Sequence, residues 1–208
     1  MTIALIDYGA GNVPSVERAL QRLGATSQRV TDPSCWASAS AIILPGVGHY
    51  SAIIRALDER NLRPALLDSI SRGVPFLGIC LGLQALYSSS EEAPSLSGLG
   101  LMPGVVKSLP HSVKLPHMGW NRLSIVRPSA LLQGLSEFDY FYFAHTFAAL
   151  NADSNCDAVA ICNHGSPFTA VLERGRVFAT QFHPEKSGAP GARLLQNFLS
   201  LAALSPLT

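Results

Sequence analysis

Short apolar runs alternate with amphipathic helical stretches through the first half of the chain, and this alternation constrains the fold most. Ile3 to Asp7 reads as a buried strand, and Ser15 to Leu23 as a helix with Val16, Ala19, Leu20 and Leu23 on one face before Gly24. Ala41-Ile42-Ile43-Leu44 is a second strand; Ser51 to Arg60 and Pro64 to Arg72 then read as helices, with Gly73 as a stop signal. Val74-Pro75-Phe76-Leu77 leads a third strand up to Cys80, and Leu83 to Tyr87 continues as a helix. Strand followed by helix, repeated, predicts a mostly parallel sheet with helices on both faces.

The second half changes character. Extended stretches fall at Val105-Val106-Lys107, Asn121 to Val126, Tyr140 to Phe143, Ala158 to Cys162, Phe168 to Glu173 and Val177 to Phe182, with Arg174-Gly175 placed for a hairpin turn. These predict antiparallel additions to the sheet, closed by a helix from about Ala192 to Ala203 that carries Leu195, Phe198, Leu199 and Ala202 on one face. There is no internal repeat or linker, so residues 1–208 read as one mixed-sheet α/β domain.

Composition excludes several classes. A formal net charge of +1 provides no electrostatic footprint for nucleic acid or an anionic membrane. The N-terminus lacks a basic leader, and no stretch approaches the ~18 apolar residues of a membrane span. The four cysteines, Cys35, Cys80, Cys156 and Cys162, show no CxxC or zinc-ligand spacing, which points to a reduced, cytoplasmic setting and no metal. Cys35, Cys156 and Cys162 read as packing residues.

Cys80 differs because of its neighbours. In Gly78-Ile79-Cys80-Leu81-Gly82 it sits between a strand and a helix, with glycine two residues to either side. A nucleophile elbow needs that context, and a helix N-terminus favours the thiolate. A buried cysteine in a Gly-rich turn is the alternative. A thiol nucleophile also needs a base and a group to orient the base. Gln181-Phe182-His183-Pro184-Glu185 ends an apolar strand, and its proline stiffens a turn that brings His183 and Glu185 together. Pro45-Gly46-Val47-Gly48 follows another strand, and the backbone N–H groups of Val47 and Leu81 can serve as oxyanion donors. Gln84 stands one helical turn after Cys80. All these segments follow strands, where open α/β sheets bind ligands. Asp7 to Asn12 begins like a dinucleotide loop, but Pro14 occupies the third glycine position and no nucleotide site is expected.

Together, Gly78 to Gln84 and Gln181 to Ser187 resemble the two signatures of class I (triad) glutamine amidotransferases. With Leu44 to Gly48, Leu115-Pro116-His117-Met118-Gly119-Trp120-Asn121 and Tyr142-Phe143-Ala144-His145-Thr146, the likeness narrows to the glutaminase subunits of imidazole glycerol phosphate synthases. The resemblance implies a flavodoxin-like fold and hydrolysis of glutamine by a Cys80, His183, Glu185 triad, without a cofactor. It places Gln84, Glu92, Gly48, Thr146 and Phe147 at the substrate. It implies a heterodimer with a (β/α)₈ cyclase subunit that uses the ammonia to make imidazole glycerol phosphate and AICAR in histidine biosynthesis. Tyr8, Asn12, Trp120 and Lys186 are the interface candidates. Leu83 and Phe147 depart from the residues frequent in the family, without touching the triad. A glutaminase for the anthranilate, GMP or pyridoxal phosphate pathway, or a non-catalytic regulatory module, are the alternatives.

Overall fold

A computed structural model describes residues 2–36, 39–150 and 157–204. The first half forms β1 (Thr2–Ile6), α1 (Val13–Arg22), β2 (Thr26–Val30), β3 (Ala41–Gly46), α2 (Tyr50–Glu59), α3 (Leu62–Ser71), β4 (Phe76–Cys80) and α4 (Leu81–Gln84). The second half adds β5 (Tyr87–Ser90), β6 (Met102–Ser108), β7 (His117–Arg122), β8 (Ser124–Ile125), β9 (Tyr140–His145), β10 (Phe147–Ala148), β11 (Ala158–Asn163), β12 (Pro167–Arg174), β13 (Val177–Thr180) and α5 (Gly188–Ala203).

The main sheet has the order β2-β1-β3-β4-β13-β12-β11-β8. It is parallel from β2 to β13 and antiparallel from there to β8, the mixed sheet that the sequence predicts. Period-2 side-chain alternation sorts the core into two layers. Ile3, Leu5, Ile43, Leu77 and Ile79 face one side, where Val16 and Leu20 of α1 and Leu195, Phe198 and Leu199 of α5 cover them. Ala4, Ile6, Ile42, Leu44 and Phe76 face the other, against Ile53 and Leu57 of α2 and Leu66 of α3. Helix faces and strands that look apolar in the sequence are therefore the ones that meet in the core.

Three expectations change. β2 is absent from the sequence reading because it is an edge strand in which only Val30 is buried, and an edge needs no apolar pattern. The helix beyond Cys80 is one turn long, since Tyr87 already begins β5. Not every late strand joins the main sheet: β6 pairs with β5 and β10, and β9 pairs with β7, in two small separate sheets. Alternation marks a half-buried strand but does not name its partner. Cys162 is buried, and burial pushes its thiol up to about 12, as suits an inert packing residue. Cys156 and the side chain of Cys35 lie outside the described residues.

Candidate active site

Three neighbouring strands in the middle of the main sheet, β3, β4 and β13, bring the candidate residues together at their carboxyl ends. Gly46 at the end of β3 is the register partner of Cys80 at the end of β4, and on the other side Ile79 pairs with Thr180 of β13. The oxyanion-loop candidate and the histidine segment thus flank Cys80, although they lie far from it in sequence.

Cys80 has φ 54° and ψ −103°, a conformation that a side-chain-bearing residue adopts only under strain. The reversal is so tight that a Cβ on Gly78 would sit 2.7 Å from the Gly82 carbonyl oxygen, and one on Gly82 only 2.0 Å from that of Leu44. Both glycines are steric requirements of the elbow. A single helical turn carries little macrodipole, so α4 presents a weaker dipole than the longer helix expected from the sequence.

His183 and Glu185 bend together across Pro184. The His183 Nδ1–H donates to Glu185 Oε1 at 2.9 Å, and the two side chains are only 2% and 1% exposed. This fixes the tautomer that leaves Nε2 for the Cys80 sulfur. Burial opposes protonation of His183, but the charge of the Cys80 sulfur, its hydrogen bond to the ring and the Glu185 carboxylate outweigh it and push the imidazole up to about 10. The ribbon β7–β9 braces this turn: His183 N donates to the Tyr142 carbonyl at 2.9 Å, and Tyr142 N donates to Ser187 Oγ at 3.0 Å.

In front of the sulfur is a small cleft lined by Val47, Gly48, Cys80, Leu81, Gln84, Glu92, Ala144, His145, Thr146 and Phe147. It brings together every substrate and oxyanion candidate read from the sequence. Gln84 Nε2 donates to the Phe147 carbonyl at 2.7 Å, and Glu92 Oε2 accepts from Tyr50 N at the start of α2 at 2.7 Å.

The four interface candidates divide. Trp120 is 54% exposed and meets Tyr142 edge-on, while Lys186 extends its Nζ to 5.6 Å from the same Tyr142 ring, so the two share one face beside the His183 turn. Asn12 is half-buried and caps α1 through its carbonyl, which accepts from Ser15 N and Val16 N. Tyr8 is a correction. It is only 3% exposed, because its ring belongs to the core layer under α2, and so it has no surface to offer a partner. Burial pushes its phenol up, opposed by the backbone N–H of Val47 beside it.

The class I glutamine amidotransferase family model matches residues 4–202. The chain belongs to that family. Among the amidotransferase's curated relatives, the imidazole glycerol phosphate synthase subunit HisH of Methanothermobacter thermautotrophicus is 47% identical over 199 residues, covering 96% of this chain and 98% of the relative. The subunit of the same name from Deinococcus radiodurans is 44% identical, covering 94% and 92%. The chloroplastic imidazole glycerol phosphate synthase hisHF of Arabidopsis thaliana is 41% identical over 95% of this chain but only 34% of its own length. These place the amidotransferase in the HisH branch. A solved glutamine amidotransferase shares the fold with TM-score 0.77 at 21% identity, covering 97% of this chain and 99% of that one, and PurLQS from Thermotoga maritima does so at 0.77 and 19%, covering 96% and 98%.

Sequence reasoning assigned no role to two polar groups of this amidotransferase's site. Gln181 donates from Nε2 to Cys80 Sγ at 3.6 Å and accepts from Gln84 at its Oε1. Its signal was its place at the end of β13, next to the elbow strand. His145 lines the cleft from β9, and its signal was the polar end of an otherwise apolar strand.

Proposed function

We propose that the chain is the glutaminase subunit of an imidazole glycerol phosphate synthase, acting through a Cys80, His183, Glu185 triad. The observation that carries the reading is the closed hydrogen-bonded arrangement of the buried His183–Glu185 pair against a cysteine on a strained elbow. The Cys80 sulfur attacks the side-chain amide carbon of glutamine, and the oxygen takes the negative charge. His183 then delivers its proton to the leaving nitrogen, which departs as ammonia and leaves a γ-glutamyl thioester. Water attacks the thioester with His183 as base, the C–S bond breaks, and glutamate leaves with the thiol restored.

The Leu81 N–H provides one oxyanion donor. The Val47 N–H, which now lies beside Tyr8, becomes the second when the peptide after Gly46 turns toward Cys80. Gln84 and the backbone at Gly48, Thr146 and Phe147 line the substrate's seat, and the free oxygen of Glu92 is assigned to its α-ammonium.

Ammonia released into water is protonated and lost, so the product needs a private route to an acceptor. The partner in this reading is a (β/α)₈ cyclase subunit bound in a heterodimer over the Trp120, Tyr142 and Lys186 face. The reading draws on the printed names of the HisH relatives and on the Arabidopsis hisHF, whose remaining two thirds lie outside the match. The free thiols Cys80 and Cys162 suit a cytoplasmic setting, and no helix among the described residues is long and apolar enough to cross a membrane.

The test is Cys80→Ala in the reconstituted complex with a cyclase. Glutamine-dependent synthesis disappears, while the cyclase continues to use added ammonium salts. Continued glutamine use by the variant rules out Cys80 as the nucleophile.

A further inference from the structure

Behind the cleft lies a line of hydrogen bonds with a single allowed direction. The Phe147 carbonyl can only accept, so its 2.9 Å contact with His145 puts a proton on His145 Nδ1. Burial, followed by the neighbouring His117, pushes His145 down to about 3, so the ring is neutral and Nε2 is an acceptor. The 3.1 Å contact between His145 Nε2 and His117 Nδ1 is therefore donated by His117. His117 is neutral as well, pushed down to about 4 by burial and by His164, which stacks on it with ring centroids 4.1 Å apart. Its Nε2 accepts from Asn121 Nδ2 at 3.3 Å. The amide of Asn121 is held in that sense at both ends, because Nδ2 also donates to the Asn163 carbonyl at 3.1 Å and Oδ1 accepts from Arg122 N at 2.8 Å.

Each donor in this series points toward the cleft. At its end the Phe147 carbonyl receives a second donor, Gln84 Nε2, and Gln84 in turn meets Gln181, which donates to the Cys80 sulfur. We propose that Asn121, His117 and His145 form a one-way hydrogen-bond relay that positions the Phe147 carbonyl, and through it Gln84 and the Thr146–Phe147 wall against which glutamine binds. These are positioning residues, since His117 and Asn121 stand behind the cleft and His145 acts through a backbone carbonyl. Buried histidines kept neutral in fixed tautomers supply direction without the cost of a buried charge. Chains of such bonds polarise one another, so the last acceptor is held more firmly than by one donor alone.

The inference rests on the glutaminase reading, and its test separates the two. Long-range proton–nitrogen spectra of the ¹⁵N-labelled full-length chain at neutral pH report the imidazole tautomers. The relay requires Nδ1–H at both His117 and His145; an Nε2–H tautomer at either ring overturns it, whatever becomes of the Cys80 chemistry. In the reconstituted complex, His145→Phe loses the donor to Phe147 and raises the KM for glutamine about tenfold, with kcat changed by less than about threefold. His145→Asn places an amide nitrogen where Nδ1 stood, and it restores KM to within about threefold of the parent. Equal KM values for both variants and the parent overturn the relay. If His145→Phe does not fold, the tautomers of the native chain still decide. Glutamine turnover that persists in Cys80→Ala sinks the triad reading instead, whatever the relay variants do.

Discussion

His183 donates its Nδ1–H to Glu185 Oε1 at 2.9 Å, and neither side chain has meaningful contact with solvent. The other ring nitrogen is thereby committed to Cys80, and the charge on that sulfur raises the affinity of the ring for its proton. Several measurable consequences follow from this and from the geometry around it.

The His183–Glu185 pair beside the Cys80 sulfur makes stability depend on alkaline pH. The folded chain holds the His183 proton up to about 10, against an ordinary value of 6.5. A pKa raised by folding contributes fully below about 6.5 and is lost as pH climbs toward about 10. Urea midpoints measured across that window decline for the parent. In Cys80→Ala the sulfur's charge and hydrogen bond are gone, so His183 titrates lower and its share of the decline shifts to lower pH. Superimposable profiles for the two proteins refute the coupling.

Gly82→Ala is strongly destabilising, by about 3 kcal/mol or more, because its Cβ falls 2.0 Å from the Leu44 carbonyl oxygen and neither backbone can yield. Gly100 provides the control. It has φ +67° with nothing within 4 Å of its Cβ position, so Gly100→Ala costs only the left-handed backbone, about 1–2 kcal/mol. Denaturant titration of the two variants should reproduce that order.

Glu92→Gln keeps an oxygen to accept from Tyr50 N but removes the charge facing the cleft. The expected result is a rise in KM for glutamine of about tenfold or more, with kcat less affected, since a hydrogen bond to a charged group contributes about 1.5–3 kcal/mol. A fall in kcat at unchanged KM would place Glu92 outside the substrate's seat.

Trp120→Ala tests the proposed docking face. The side chain is 54% exposed, so the free chain's thermal midpoint should move little, whereas affinity for the cyclase should drop by about 2 kcal/mol or more, as for a central aromatic anchor. Calorimetric titration against the cyclase reads both the affinity and its loss. An unchanged affinity moves the interface elsewhere.

Much of the site is legible because its chemistry is written locally. Gly78 and Gly82 signal a tight reversal around Cys80, and the structure shows the close approaches that demand them. Pro184 between His183 and Glu185 signals a short turn, which closes the 2.9 Å bond. The apolar faces of α1 and α5 are legible for a similar reason, since their periodicity matches the side of the sheet they cover. β2 escapes because an edge strand can be polar, and β5 because its serines carry no strand pattern. The two small sheets escape because strand pairing is a long-range event, as when Phe147 of β10 meets Ser108 of β6.

From residue order alone come the proposed nucleophile Cys80, the proposed base His183 with Glu185 to orient it, and the alternation that makes a mostly parallel sheet. Each depends on neighbours a few residues apart, where covalent geometry limits the outcomes. Only the folded chain decides that Gly46 stands beside Cys80, that Tyr8 is core rather than surface, and that His117 and His145 line up behind Phe147. Those relations join segments tens of residues apart, and they are settled by which strands share hydrogen bonds and which side chains fill the space between layers.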